Sequence, residues 1–162
     1  MIARRTLLAG GGVAALASVA LLQRQGVAKE PAKAFPVVHT DAEWRKLLTP
    51  TQYQVLRHAG TEAPESSPLD HQFSKGTYSC AGCSQPAYLS TTKFESGTGW
   101  PSFWKPIAGA VSTSNDNSLM MDRTEVHCSR CGGHLGHVFD DGPKPTGLRY
   151  CMNGAAMTFK AA

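Results

Sequence analysis

The chain has 162 residues, of which 41% are hydrophobic and 17% are charged, and its formal net charge is +4. These values are typical of one globular domain with its own core, and they exclude a chain that is disordered because of its composition. They do not exclude a targeting segment, because such a segment is too short to dominate the averages.

The first 28 residues have the organisation of an export signal. Arg4 and Arg5 precede an uncharged run over residues 6–23 that is rich in Leu, Ala, Val and Gly, and this order is typical of a secretory signal. The arginine pair favours the twin-arginine route, and small residues before the linker favour cleavage after Ala28. We therefore expect a periplasmic protein. The alternative is an uncleaved inner-membrane anchor facing the periplasm, because the apolar run approaches the length of a membrane span.

The charge of the mature chain argues against a nucleic-acid partner. Cleavage after Ala28 would remove Arg4, Arg5 and Arg24 but no acidic residue, which leaves 13 basic and 12 acidic residues and a net charge of +1. Such a chain lacks the basic excess with which proteins bind nucleic acid. We expect no nucleic-acid partner, and contact with a membrane only through an uncleaved signal.

A short helical flank is predicted at the start of the folded domain. Residues 29–39 hold two prolines and no helical period, so we expect a linker there and a domain over residues 40–162. Thr40 and Glu43 have the spacing of a capping box, which predicts a helix start. The apolar stripe of this helix would consist of Trp44, Leu47 and Leu48, with Pro50 ending it and a second helix over residues 51–58 closed by Gly60.

The remainder of the chain is predicted to be mainly β. From Lys75 onward, Gly, Pro, Ser and Asn recur every few residues between short runs of β-forming residues, and no stretch after residue 60 has the pattern of a long amphipathic helix. The sequence therefore predicts a mainly antiparallel β domain. Its clearest strands are expected over residues 76–79, 110–113, 123–126 and 157–159.

Four of the five cysteines have the spacing of a metal site. Cys80 and Cys83 form one C-x-x-C pair, and Cys128 and Cys131 form another. A two-residue gap lets one turn aim two sulfurs at the same ion, and two such turns complete a tetrahedral site of four thiolates. We expect one zinc ion with a structural role, because four thiolates leave no open coordination position. The alternative is two disulfides, since exported compartments oxidise thiols.

The fifth cysteine, Cys151, is the candidate nucleophile. Arg149 would lie on the same face of a strand, where its charge would favour the thiolate. His134 and His137 are candidates for a general acid, with carboxylates nearby to orient them. Each feature also has an ordinary interpretation: an inert buried thiol, a metal-binding or surface histidine pair, and an arginine in a structural ion pair.

An aromatic segment upstream would complete such a site. Gly97 and Gly99 flank Thr98 and would allow Trp100 to stand at a surface. There, an indole face beside a thiolate can hold a small apolar group such as a methyl.

These segments together resemble the B-type methionine sulfoxide reductases. The resemblance runs from about Thr40 to Phe159, and the motifs match in order. They are Gly97-x-Gly99-Trp100-Pro101-Ser102-Phe103, Arg123-Thr124-Glu125-Val126, His134-Leu135-Gly136-His137-Val138-Phe139-x-Asp141-Gly142-Pro143 and Arg149-Tyr150-Cys151-x-Asn153.

The resemblance implies reduction of the R epimer of methionine sulfoxide in oxidised proteins and peptides. It also implies a fold of coiled, tent-like antiparallel sheets, with zinc held by the two C-x-x-C pairs. Cys151 would attack the sulfoxide sulfur and become a sulfenic acid. The resemblance assigns supporting roles to His137 and His134 as the acid, to Arg149 at the thiolate, to Asn153 and Asp141 in the polar network, and to Trp100 and Phe139 in substrate binding.

The sequence departs from the family at two positions. Many members carry a resolving cysteine where this chain has Thr98, and a threonine cannot form a disulfide. We therefore expect an external thiol, of thioredoxin-like or glutathione type, to reduce the Cys151 sulfenic acid. Gly154, where many relatives have serine, would loosen the hydrogen bonding around Asn153.

Two other classes of protein remain possible from the residues alone. A zinc-ribbon binding module would have a basic face and would not need Cys151. A thiol-disulfide oxidoreductase would place a C-x-x-C pair at a helix start within a βαβ unit, a pattern that neither pair has.

Overall fold

The computed structural model describes residues 35–118 and 121–162. The predicted export signal and most of the predicted linker lie outside these ranges. None of the helices in the described part of the chain is long and apolar enough to cross a membrane.

The two predicted helices are present, with a different boundary between them. Helix α1 spans Asp41–Leu47 and α2 spans Pro50–His58. The capping box at Thr40 is confirmed, and a second one at Thr49 starts α2, so that Pro50 opens the second helix. The predicted apolar stripe is wrong at Leu47, which is 59% exposed, whereas Trp44 and Leu48 are buried. Ala59, rather than Gly60, takes the left-handed conformation that ends α2.

Beyond residue 60 the described residues form short strands and 3-10 turns, and no α-helix. The strands are β1 (Gly76–Cys80), β2 (Pro86–Leu89), β3 (Lys93–Phe94), β4 (Ser102–Phe103), β5 (Val111–Asp116), β6 (Arg123–Cys128), β7 (His134–Phe139), β8 (Arg149–Met152) and β9 (Met157–Ala161). A three-stranded sheet has the order β2-β1-β9, a six-stranded sheet has the order β3-β4-β8-β7-β6-β5, and every pairing is antiparallel. The predicted fold class, mainly antiparallel β with a small helical flank, is confirmed.

The core joins the two sheets through aromatic side chains. Phe103 of β4 stacks on Tyr88 of β2, with ring centroids 4.4 Å apart, and meets the edge of Tyr78 of β1 at 5.0 Å. The Tyr88 hydroxyl donates to the sulfur of Met152 at 3.0 Å. Because successive side chains of a strand point to opposite faces, anchoring Met152 in the core turns the preceding residue, Cys151, towards the other face of the sheet.

Candidate active site and metal centre

The four paired cysteines lie together as one cluster. Their sulfur atoms all lie within 4.8 Å of one another, with 3.7 Å between Cys80 and Cys131 and 3.5 Å between Cys83 and Cys128. A tetrahedral ion with bonds of about 2.3 Å to sulfur requires sulfur atoms about 3.8 Å apart. The cluster therefore has the dimensions of a four-thiolate metal site.

Both C-x-x-C turns have the same backbone design. The residue after each pair has a positive φ, which is 59° at Ser84 and 67° at Gly132. Its N–H donates to the carbonyl of the first cysteine of its pair, at 2.8 Å for Cys80 and 2.9 Å for Cys128. These turns follow strand ends rather than opening helices, which is the wrong context for the oxidoreductase alternative.

Helix α2 also supports the cluster. The Leu56 side chain lies beside the turn of the first pair, and the Arg57 guanidinium donates to the carbonyl of Cys131 at 3.1 Å. Trp44 of α1 packs against the same turn. The cluster thus links strands β1 and β6 to the helical flank.

Cys151 lies at the centre of the six-stranded sheet. On β8 it pairs directly with Ser102 of β4 on one side and with His137 of β7 on the other. Its side chain faces a cavity of about 170 Å³. The cavity is lined by Thr61, Trp100, Arg123, Gly136, His137, Phe139, Cys151 and Asn153.

The register around Cys151 depends on a glycine. A Cβ atom at Gly136 would lie 2.1 Å from the carbonyl oxygen of Cys151, so that only glycine allows β7 and β8 to approach this closely. The glycine thereby permits the pairing that sets His137 beside Cys151.

Burial and polar neighbours act in opposite directions on the Cys151 thiol. Burial raises the pKa of Cys151 above its ordinary value, while the Thr98 hydroxyl, Arg149 and Ser102 lower it by smaller amounts. The Thr98 oxygen lies 3.9 Å from the Cys151 sulfur. Arg149 acts in the predicted direction, but the resting thiol holds its proton more firmly than a free cysteine does.

Asp141 reaches the site only through Arg149. The Arg149 guanidinium donates to both Asp141 oxygens, at 2.8 and 2.7 Å, and this pairing lowers the pKa of Asp141. Asp141 is 59% exposed and does not line the cavity. The guanidinium also lies 4.5 Å from the ring centroid of Phe139, so that Arg149 connects an exposed carboxylate to the cavity wall.

An irregularity in β7 places both histidines on one face. Residues three apart on a regular strand point to opposite faces. Here Val126 of β6 pairs with Gly136, but its neighbour His127 pairs with His134, so that Leu135 is an extra residue. The His134 and His137 rings consequently lie 5.2 Å apart.

The two histidines differ in access to the cavity. His137 lines the cavity, and its Nε2 lies 2.7 Å from an oxygen of Asp116. His134 is 3% exposed and does not line this cavity, and its Nδ1 lies 2.8 Å from an oxygen of Glu125. Burial lowers the pKa of His134 despite the opposing effect of Glu125, which keeps that ring neutral at physiological pH. Of the two histidines, therefore, only His137 can contact a molecule in the cavity without a rearrangement of the protein.

Asp116 couples His137 to a cation. Hydrogen bonds from Ser118 and His137, together with the charge of Arg123, lower the pKa of Asp116 well below its usual range. The Arg123 guanidinium lies 2.7 Å from Asp116, and Arg123 also lines the cavity. This ionised carboxylate orients the His137 ring through the hydrogen bond to Nε2.

Trp100 and Asn153 complete the cavity wall. The glycines beside Trp100, Gly97 and Gly99, have φ values of 69° and 84°, as the turn around the indole requires. Asn153 is 3% exposed, and its side-chain amide donates to the Leu135 carbonyl at 3.2 Å.

The structure thus separates the predicted site residues into two groups. One group meets at the cavity and consists of Cys151, His137, Trp100, Phe139 and Asn153, whereas His134, Arg149 and Asp141 do not line it. Sequence reasoning gave no role to Thr61 or Gly136, which line the cavity, or to Asp116 behind it. One observation could have pointed to Asp116: on the neighbouring strand it pairs with Arg123, the first residue of the motif Arg123-Thr124-Glu125-Val126.

The fold and the site define a class of protein: a mainly β domain with a cavity-lining cysteine that is separate from a cluster of four cysteines with the dimensions of a metal site. The model of the SelR domain matches residues 48–161. The chain belongs to this family, the MsrB peptide methionine sulfoxide reductases, and the predicted enzyme class is confirmed.

Three relatives illustrate the closeness of the match. A peptide methionine sulfoxide reductase MsrB of Agrobacterium fabrum is 54% identical over 122 residues, which cover 75% of this chain and 90% of that protein. The corresponding protein of Methanosarcina barkeri is 55% identical over 125 residues, 76% of this chain and 88% of its own length. That of Leptospira interrogans is 52% identical over 127 residues, 78% of this chain and 97% of its own length.

Proposed function

We propose that this protein reduces the R epimer of methionine sulfoxide in oxidised proteins and peptides, with Cys151 as the nucleophile. One observation carries the proposal: the cavity brings the Cys151 thiol together with two aromatic rings, Trp100 and Phe139, and with two hydrogen-bonding groups, His137 and Asn153. A methyl sulfoxide has the complementary parts, an apolar methyl group and a polar oxygen on one electrophilic sulfur.

The proposed chemical step conserves atoms and electrons. The Cys151 sulfur attacks the sulfoxide sulfur, the sulfoxide oxygen is protonated, and the sulfur–oxygen bond breaks as the oxygen passes to Cys151. Methionine leaves reduced and Cys151 becomes a sulfenic acid. His137, oriented by Asp116, supplies the proton at the oxygen.

The proposed preference for the R epimer combines the two kinds of cavity wall with the direction from which Cys151 attacks. If the methyl group lies against Trp100 and Phe139 while the sulfoxide sulfur faces Cys151, only one epimer can direct its oxygen towards His137 and Asn153, and we assign this position to R. The S epimer in the same position directs its oxygen away from these donors. Leaving a buried donor unpaired is costly, so such a site discriminates strongly.

We propose that an external thiol, thioredoxin-like or of glutathione type, completes the cycle. Thr98 stands 3.9 Å from the Cys151 sulfur, where a cysteine could resolve the sulfenic acid, but a hydroxyl cannot form a disulfide. The other four cysteines belong to the cluster. One external thiol would form a mixed disulfide and release water, and a second would regenerate Cys151.

We propose that the cluster binds one structural zinc ion. Four thiolates with tetrahedral spacing suit zinc and leave no position for substrate. The ion would stabilise the junction of β1, β6 and the helices, and Cys80, Cys83, Cys128 and Cys131 would be its ligands.

We also propose that the enzyme acts in the periplasm. This rests on the arginine pair and apolar run of residues 1–28, with residues 29–39 as a linker and 40–162 as the catalytic domain. An uncleaved inner-membrane anchor facing the periplasm is the alternative, and N-terminal sequencing of protein from the periplasmic fraction distinguishes the two.

Turnover of the two separate epimers of a methionine sulfoxide peptide tests the catalytic proposal. With a small dithiol as reductant, the wild type should consume the R epimer and Cys151→Ser should not. R-epimer turnover retained by Cys151→Ser would exclude this cysteine as the nucleophile, and equal turnover of both epimers would contradict the assigned cavity walls.

A further inference from the structure

Glu62, in the loop between α2 and β1, makes four hydrogen bonds to elements of the site. Its backbone N–H donates to the side-chain oxygen of Asn153 at 3.0 Å, and its carbonyl accepts from the indole N–H of Trp100 at 3.2 Å. Its carboxylate accepts from the N–H groups of Gly154 and Ala155, at 2.5 and 2.7 Å. One residue thus touches both walls of the cavity and the chain that follows Cys151.

The carboxylate anchors this loop to the 3-10 turn that follows β8. Gly154–Ala156 forms a 3-10 turn directly after Asn153, with no side-chain cap of its own. The Glu62 carboxylate binds two N–H groups at the start of this turn, and hydrogen bonds to an ionised acceptor are the stronger kind. Its position therefore fixes the Glu62 backbone against β8 and the turn.

The space around this anchor is filled. A Cβ atom at Gly154 would lie 2.0 Å from the Ser67 hydroxyl and 3.2 Å from a carboxylate oxygen of Glu62. The carboxylate therefore has little room to move without displacing the loop.

We infer that Glu62 is a positioning residue that sets the R preference by holding Trp100 and Asn153 at a fixed separation. The inference rests on the proposed roles of these two residues. Glu62 itself does not line the cavity, so it acts through them. Without its carboxylate, the Glu62 backbone, whose N–H contacts Asn153 and whose carbonyl contacts the indole, loses its attachment to the 3-10 turn after β8, and the apolar and polar walls can move relative to each other.

The test compares Glu62→Ala and Glu62→Gln with the wild type and with Glu65→Gln as a matched control. Glu65 lies in the same loop, and its carboxylate makes no hydrogen bond to any residue in the described ranges. Two quantities are measured for each variant: kcat/KM on the separate R and S sulfoxide peptides, and the rate at which iodoacetamide alkylates Cys151. Alkylation requires the thiol but neither Trp100 nor Asn153.

Glu62→Ala should lower kcat/KM for the R epimer by about 10- to 100-fold, because small displacements of positioning groups have effects of this size. The ratio of R to S turnover should also fall. Glu62→Gln keeps one acceptor and should lie between the wild type and Glu62→Ala. Alkylation of Cys151 should be unchanged in both variants, and Glu65→Gln should match the wild type in every measurement.

Two outcomes would overturn the inference. Unchanged kcat/KM and epimer ratio in both variants would show that Glu62 positions nothing of consequence. A parallel loss of turnover and of normal alkylation, most clearly in the milder Glu62→Gln, would show a general structural role. Failure of the proposed function looks different, because then the wild type would lack R turnover or Trp100→Ala would leave it unaffected.

Discussion

Replacing Arg149 with methionine should raise the pKa of Cys151 further above its ordinary value of about 8.5. Arg149 is one of the groups that oppose the effect of burial on this thiol, and its side chain is only 12% exposed, so its charge is poorly screened. An opposite charge close to an ionisable group typically shifts its pKa by about 1–3 units. Methionine has a similar length and is apolar, so that it removes the charge while filling much of the same space.

The kinetic effect is smaller than the loss of thiolate alone. Each unit of increase in the pKa lowers the thiolate fraction at neutral pH about tenfold, but it raises the nucleophilicity of the remaining thiolate about threefold. The net loss is therefore about threefold for each unit, or about 3- to 30-fold for the expected range.

Alkylation of Cys151 by iodoacetamide, followed by mass spectrometry between pH 6 and pH 11, measures this directly. In the wild type the rate should rise with pH and reach its midpoint above about 8.5, because burial raises the pKa. The midpoint should move further upward in Arg149→Met. Asp141→Asn is the matched control, since it removes the exposed partner and keeps the cation. An unchanged midpoint in Arg149→Met, or a wild-type midpoint near neutrality, would refute the reasoning.

Three further changes test other parts of the structure. Thr98→Cys should form a disulfide with Cys151 after one turnover, because the Thr98 oxygen lies 3.9 Å from the sulfur; persistence of a sulfenic acid that dimedone can trap would contradict this. Gly154→Ser should lower the free energy of unfolding by about 1–3 kcal/mol in urea titration, because its Cβ would lie 2.0 Å from the Ser67 hydroxyl. Adding Ser67→Gly should recover most of that loss, and no recovery would locate the strain elsewhere. Cys128→Ser should abolish metal binding, measured by elemental analysis, and cost more than about 3 kcal/mol of stability; full stability without metal would show that the cluster does not depend on an ion.

The features that the sequence predicted well are those that depend on short spacings. The capping box at Thr40 involves residues three apart, and each C-x-x-C turn closes within five residues. Such patterns specify their own local geometry, whatever the rest of the chain does. The two cysteine pairs come together only in the folded structure, but the sequence offered just two interpretations of these four thiols, a shared metal site or two disulfides.

The features that the sequence could not predict depend on register and on distant partners. The extra residue at Leu135 brings His134 and His137 onto one face, and no spacing rule foresees an irregularity that only the pairing with β6 defines. Glu62 contacts the site across 92 residues of sequence, from the loop between α2 and β1, and no local pattern marks it as a partner of Gly154. Burial of Cys151 is likewise a property of the packed sheet. The spacing of Arg149 and Cys151 therefore predicted that Arg149 lowers the pKa of the thiol, but it could not predict that burial raises this pKa by more.

The raised pKa of Cys151 suits the proposed reaction better than a resting thiolate would. A permanently ionised thiol reacts with any small oxidant that enters the cavity, whereas a protonated thiol is a poor nucleophile. A sulfoxide needs both a nucleophile at its sulfur and a proton at its oxygen, and His137 beside the ionised Asp116 can supply that proton. As positive charge develops on the substrate sulfur, the thiolate gains a partner that it lacks at rest. In the proposed reaction the buried thiol would therefore become reactive when a sulfoxide is bound, and burial would contribute to the selectivity of the enzyme.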